Sequence, residues 1–152
     1  FLENVAAALD GRKLDYLTVD HMEPDHAAMI EAVLVRWPDL RLVVNAKTLP
    51  MLKMYFPTDS AAFDDALVVK EGDTLDLGKH KLTFVMAPMV HWPEVMMTFD
   101  TTTGTPYSSE PSARSTAACS RTRPISSPKM SMRRAGIIQT SSASTACRCR
   151  LC

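Results

Sequence analysis

Apolar residues recur along this chain in two rhythms, and where one gives way to the other an element is expected to end. Phe1 to Leu9 has helical spacing and is stopped by Asp10-Gly11. Leu14 to Val19 reads as a strand and Ala27 to Trp37 as a helix, with the polar stretch His21 to His26 as the loop between them. Arg41 to Asn45 is a short buried-type strand, and Lys47 to Tyr55 a short helix with Pro57 beyond its end. Ala66 to Lys70, Glu71-Gly72-Asp73 and Thr74 to Gly78 read as strand, turn and strand. Lys81 to Met86 is a further strand running into Ala87 to Pro93. Val95 to Asp100, the turn Thr101 to Gly104, and Thr105 to Ser109 predict a hairpin.

Two β-α units followed by a strand-rich half suit an α/β sandwich with mixed sheets better than a doubly wound parallel sheet. A chain of 152 residues is one domain's worth. No apolar run approaches the roughly 20 residues of a membrane span. Phe1-Leu2-Glu3-Asn4 has neither an initiator Met nor the basic start of a signal peptide. The expectation is a piece of a longer, cytoplasmic protein with no membrane contact.

The candidate chemistry concentrates in His21-Met22-Glu23-Pro24-Asp25-His26. Two imidazoles and two carboxylates within six residues are good metal ligands, and their number suits two ions better than one. Imidazole with carboxylate accommodates iron, zinc or manganese, and exchanging imidazole for carboxylate moves the preference toward harder, redox-active iron. His91 follows a later apolar strand and is a further candidate. His80, between Lys79 and Lys81, reads as a solvated surface residue. Trp92 reads equally as a wall of a site or as core. Met22, Met86, Met89, Met96 and Met97 read as core filler.

His-x-Glu-x-Asp-His after a strand, His91 at a later strand end and Ser108-Ser109-Glu110 after the next hairpin resemble the metallo-β-lactamase fold. The Glu at position 23, where the hydrolases of that superfamily have His, narrows the resemblance to the diiron domain of the flavodiiron proteins (A-type flavoproteins). Met86-Ala87-Pro88-Met89-Val90-His91-Trp92-Pro93 is similar to the same branch. The resemblance covers residues 1–110 and implies an αββα sandwich, here a partial domain without its early strands. It implies His21, Glu23 and His91 on one iron, Asp25 and His26 on the other, and a bridging acid at Glu110, where the family has Asp. The family's last His ligand has no counterpart, since no His follows His91. Reduction of dioxygen to water or of nitric oxide to nitrous oxide is the implied activity. The implied cofactors are two iron ions and FMN on a flavodoxin-like domain outside this sequence. A rubredoxin-type or F420-type electron donor and a head-to-tail homodimer are the implied partners. The alternative is a dinuclear metal-dependent hydrolase of the same fold.

Charge then divides the chain. Residues 1–110 hold all 17 Asp and Glu against nine Lys and Arg, a balance of −8, whereas residues 111–152 hold no acid and eight basic residues. All ten aromatic residues lie before position 108 and all four Cys after position 118. A disordered basic tail is one reading of 111–152. Out-of-frame translation is the other. A frame displaced by one base puts the middle base of each true codon, which sets polar or apolar character, in first place. One inserted base in codon 110 restores Asp there, with acids and aromatics beyond it. On that reading the chain is the inactive product of a frameshifted gene. Cys147, Cys149 and Cys152 lack a fourth metal ligand, and the tail has no aromatic residue to stack on bases, so neither a metal tract nor nucleic-acid binding is expected.

Overall fold

A computed structural model of the chain describes residues 1–56, 61–108 and 137–139. Its elements run α1 (Leu2–Leu9), β1 (Tyr16–Thr18), α2 (Pro24–Ala27), α3 (Ile30–Arg36), β2 (Arg41–Asn45), α4 (Thr48–Tyr55) and α5 (Ala61–Asp64). They continue as β3 (Leu67–Val69), β4 (Thr74–Asp76), β5 (Lys81–Met86), β6 (Met96–Asp100), β7 (Thr105–Tyr107) and β8 (Ile137–Gln139). Position 110 and nearly all of 111–152, where the bridging acid and the out-of-frame or disordered tail were expected, lie outside the described residues. The exception is β8, whose backbone pairs in parallel with β1.

The strands form two sheets rather than mixed ones. One is parallel, in the order β3-β2-β1-β8, and the other antiparallel, in the order β4-β5-β6-β7. Parallel strands covered on both faces are expected to be apolar without alternation, and β2 is: Leu42 and Val44 pack on the helix side, Val43 on the side of the other sheet. Ile30, Val33 and Leu34 of α3, with Val5 and Leu9 of α1, supply the helical half of the first core. The second core joins Val43 and Val69 to Leu82, Phe84 and Met96 between the sheets. The described residues thus build helices, sheet and sheet, in keeping with the α/β sandwich.

Two local details depart from expectation. The helix expected over Ala27 to Trp37 is two helices, α2 and α3, broken at Ala28-Met29, and α2 starts inside the supposed loop. Pro24 at the first helical position explains that start, because its fixed φ suits a helix and its missing N–H is not needed there. Strands β3 and β4 fall in different sheets, so Glu71-Gly72-Asp73 carries the chain from one layer to the other. Gly72, with φ of 77°, takes the left-handed turn and donates its N–H to Phe84 O at 2.9 Å. Helix α1 ends as predicted. Asp10 is left-handed, and the Arg12 side chain donates to the carbonyls of Leu9 and Ala8 at 2.7 and 2.8 Å, Leu9 O also accepting the Arg12 N–H at 3.0 Å.

Candidate metal centre

The chain beyond β1 stays buried through Val19, Asp20, His21 and Met22. Val19 N–H donates to Val43 O at 3.0 Å, extending the pairing with β2. Asp20 is clasped from the other sheet: its carbonyl accepts Met96 N–H at 3.0 Å and its Oδ1 accepts the Thr98 hydroxyl at 2.8 Å. His21 therefore leaves the first sheet at a point fixed against β6. Glu23 caps α2, and its carbonyl accepts the N–H of His26 at 2.8 Å and of Ala27 at 2.9 Å. Asp25 and His26 thus stand on one tight helical turn, not in an open loop.

His91 comes from the other sheet, in the loop between β5 and β6. Ala87 N–H to Val95 O at 2.9 Å closes the loop, and Met89 N–H to Trp92 O at 3.0 Å tightens its tip. Met89 and His91 have φ of 65° and 75°. Non-glycine residues adopt that left-handed conformation rarely and at some cost, which is characteristic of loops that aim a side chain.

These two pieces of chain meet at Glu23. Its Oε2 lies 3.1 Å from His91 Nε2 and 3.4 Å from His21 Nε2. The His21 ring stands edge-on to those of His26 and His91, with centroids 5.2 and 5.5 Å away. His26 Nε2 is 3.6 Å from Asp25 Oδ2. Two triplets, His21-Glu23-His91 and Glu23-Asp25-His26, each have one donor atom per residue within 4.8 Å of the others, and Glu23 belongs to both. Burial raises the Glu23 carboxyl, but hydrogen bonding and charge from His91 and His21 outweigh it and hold the group below its ordinary value. His26 Nδ1 is buried without a hydrogen-bond partner among the described residues. Three imidazoles and two carboxylates at this spacing, with one ring nitrogen unpartnered, fit a pair of transition-metal ions. Glu110 lies outside the described residues.

The sequence reading passed over Glu94. This carboxylate is 1% exposed, and its Oε1 contacts His21 Nδ1 at 2.7 Å and accepts Met22 N–H at 3.1 Å. The available signal was a lone acid between Pro93 and the apolar run of β6. Trp92 is half-buried, belongs to neither hydrophobic core and stands edge-on to His21 at 5.4 Å beside the ligand cluster. His80 is not a solvated residue. Its Nδ1 pairs with the buried Asp100 Oδ2 at 2.7 Å and its side chain is only 18% exposed. Met22 and Met96 are fully buried, whereas Met89 is 74% exposed at the loop tip and is not core filler.

Comparison with known proteins gives the family. Residues 1–130 match the family described as ODP family beta lactamase, so the match runs beyond the charge break at position 110. The chain is 41% identical over 103 residues to a putative diflavin flavoprotein A 1 of Thermosynechococcus vestitus, covering 66% of this chain and 17% of that protein. It is 38% identical over 103 residues to a nitric oxide reductase of Moorella thermoacetica, covering 65% and 25%. Among solved structures it resembles a variant of the flavo di-iron protein of Thermotoga maritima (26% identity, TM-score 0.59, 66% of this chain and 24% of that one). It also resembles the rubredoxin oxygen:oxidoreductase of Desulfovibrio gigas (30% identity, TM-score 0.57, 63% and 23%). The chain spans a quarter or less of the length of each of these relatives. With a parallel and an antiparallel sheet stacked beneath helices, the chain belongs to the ODP family of β-lactamase-like domains, that of the flavodiiron proteins.

Proposed function

We propose that this chain is the ligand-bearing part of a flavodiiron oxidoreductase that reduces dioxygen to water, nitric oxide to nitrous oxide, or both. The observation that carries the reading is Glu23, a carboxylate shared by two donor triplets, at the position where the resemblance expects a carboxylate in place of the hydrolases' His. His21, Glu23 and His91 would hold one iron and Asp25 and His26 the other, with the acid at position 110 between them. When bound, such a pair would supply two electrons at once to a small diatomic substrate. The chain's own part is to present the ligands from two sheets and to cover His21 with Trp92. The FMN on a flavodoxin-like domain, the rubredoxin-type or F420-type donor, the head-to-tail homodimer and the cytoplasmic location belong to the whole protein on this reading. Among the described residues no helix is long and apolar enough to cross a membrane.

The charge and aromatic break supports a second reading, that residues 111–152 are out-of-frame and this chain is itself inactive. One set of measurements separates the readings: bound metal, thermal unfolding and turnover of the purified chain. Two irons per chain with oxygen or nitric oxide consumption support the first. Two zincs with esterase activity favour the hydrolase. Absent metal and a non-cooperative melt favour the frameshift, and an intact reading frame in the DNA across codon 110 overturns it.

A further inference from the structure

His21 is the most deeply buried of the candidate ligands, and it is fixed from behind by a group that is no ligand itself. Glu94 Oε1 lies 2.7 Å from His21 Nδ1, the ring nitrogen turned away from Glu23, and also accepts the Met22 N–H. A carboxylate oxygen accepts hydrogen bonds, so the proton belongs on Nδ1 and the lone pair on Nε2. That lone pair then faces Glu23 Oε2 across 3.4 Å. A cation shared by the two, a proton or a metal ion, draws them together.

We propose that Glu94 is a positioning residue of the metal centre. It locks His21 in the Nδ1–H form, aims Nε2 at the ion and strengthens it as a donor. The pairing of a carboxylate, an imidazole and a metal is a general way of orienting ligands. This inference rests on the metal-centre reading above.

The surroundings of Glu94 suit this role better than a purely structural one. Its Oε2 is buried with no hydrogen-bond partner among the described residues, which destabilises the fold on its own account. Its backbone is held by groups outside the candidate ligand set. Asn45 Nδ2 donates to Glu94 O at 2.6 Å, and Lys47 Nζ donates to the preceding Pro93 O at 3.1 Å. The strand end and helix start that flank Asn45 thereby set the depth of the carboxylate, while His91 of the same loop remains 46% exposed at its side chain.

The test uses the full chain with histidine labelled with nitrogen-15, as wild type, Glu94→Gln and Glu94→Leu. Two-bond proton–nitrogen spectra of the metal-free chain read the His21 tautomer, and cobalt(II) titration reads affinity. The expected results are the Nδ1–H form in wild type, its loss in Glu94→Leu, and cobalt binding weakened about 10- to 100-fold in that variant. Glu94→Gln, which keeps an acceptor, recovers part of both. Glu94→Leu strips the buried Met22 N–H and His21 Nδ1 of their acceptor and should melt lower, so the readouts that a merely structural role would leave unmoved are the His21 tautomer and the cobalt affinity. An Nε2–H form in wild type, or cobalt affinity unchanged in Glu94→Leu, overturns the proposal. Should Glu94→Leu not fold, the wild-type tautomer and the Glu94→Gln affinity decide. Failure of wild type to bind cobalt overturns the metal-centre reading, while the tautomer still decides what Glu94 does to His21.

Discussion

Replacing Asn45 with Ala removes three hydrogen bonds at one stroke. Asn45 is 5% exposed at the end of β2. Its Oδ1 accepts Lys47 N–H at 2.9 Å and Thr48 N–H at 3.0 Å, satisfying two donors at the start of α4, and its Nδ2 holds Glu94 O at 2.6 Å. Loss of a side chain that caps a helix start costs about 1 kcal/mol. A buried carbonyl left without its donor adds about 1–3 kcal/mol. Asn45→Ala is therefore expected to lose about 2–4 kcal/mol. Urea unfolding followed by fluorescence of Trp37 and Trp92 measures it, as a lower midpoint with an unchanged slope. Asn45→Asp separates the parts: it keeps both acceptors for α4 but sets a carboxylate oxygen against Glu94 O, so it should lose about 1–3 kcal/mol through the loop alone. Stability of Asn45→Ala within about 0.5 kcal/mol of wild type would refute the view that this side chain ties the first sheet to the His91 loop.

Phe84 is fully buried between the sheets, and Phe84→Ala should cost about 3–5 kcal/mol by calorimetry or denaturant titration. Asp100 accepts hydrogen bonds from Thr103, His80 and Thr102. Burial raises its carboxyl, but those bonds and the His80 charge outweigh it and hold the group below the usual value. A folded value below the unfolded one contributes stability above about pH 3.9 that is lost as pH falls through the folded value. Asp100→Asn should therefore be less stable than wild type at neutral pH and converge with it in acid. A constant gap from pH 7 to pH 2 would contradict this. Removing metal with a chelator should lower the melting temperature. Metal held at about 100 times its dissociation constant contributes about 2.7 kcal/mol, and an unchanged melt on chelation would count against the centre.

Much of the fold was legible because its signals are local. Ile30, Val33 and Leu34 mark one helical face, and the unbroken apolar run of β2 anticipates a strand covered on both sides. Helix α5 was missed, since four residues carry no periodicity. The separation of β3 and β4 was missed for another reason. A Gly-centred turn looks alike whether it closes a hairpin or crosses between layers, and only the partners of each strand distinguish the two. At the centre, the ligand-type residues announced themselves by chemistry and spacing. Glu94 did not, because its meaning lies in a contact with a residue 73 positions away. His80 was misread for the same reason, its partner Asp100 being on another strand.

The clasp of Asp20 by Met96 and Thr98 has a consequence for how the chain acquires its metal. Glu23 and His91 are 68 residues apart and are carried by different sheets. The hexapeptide alone can offer an ion a few loosely held ligands from the unfolded chain, but the full set exists only after a long loop has closed and the sheets have docked. Tight uptake is then a late event in folding. An ion with a visible spectrum becomes a clock for the docking step, reporting when the two layers meet rather than when either one forms.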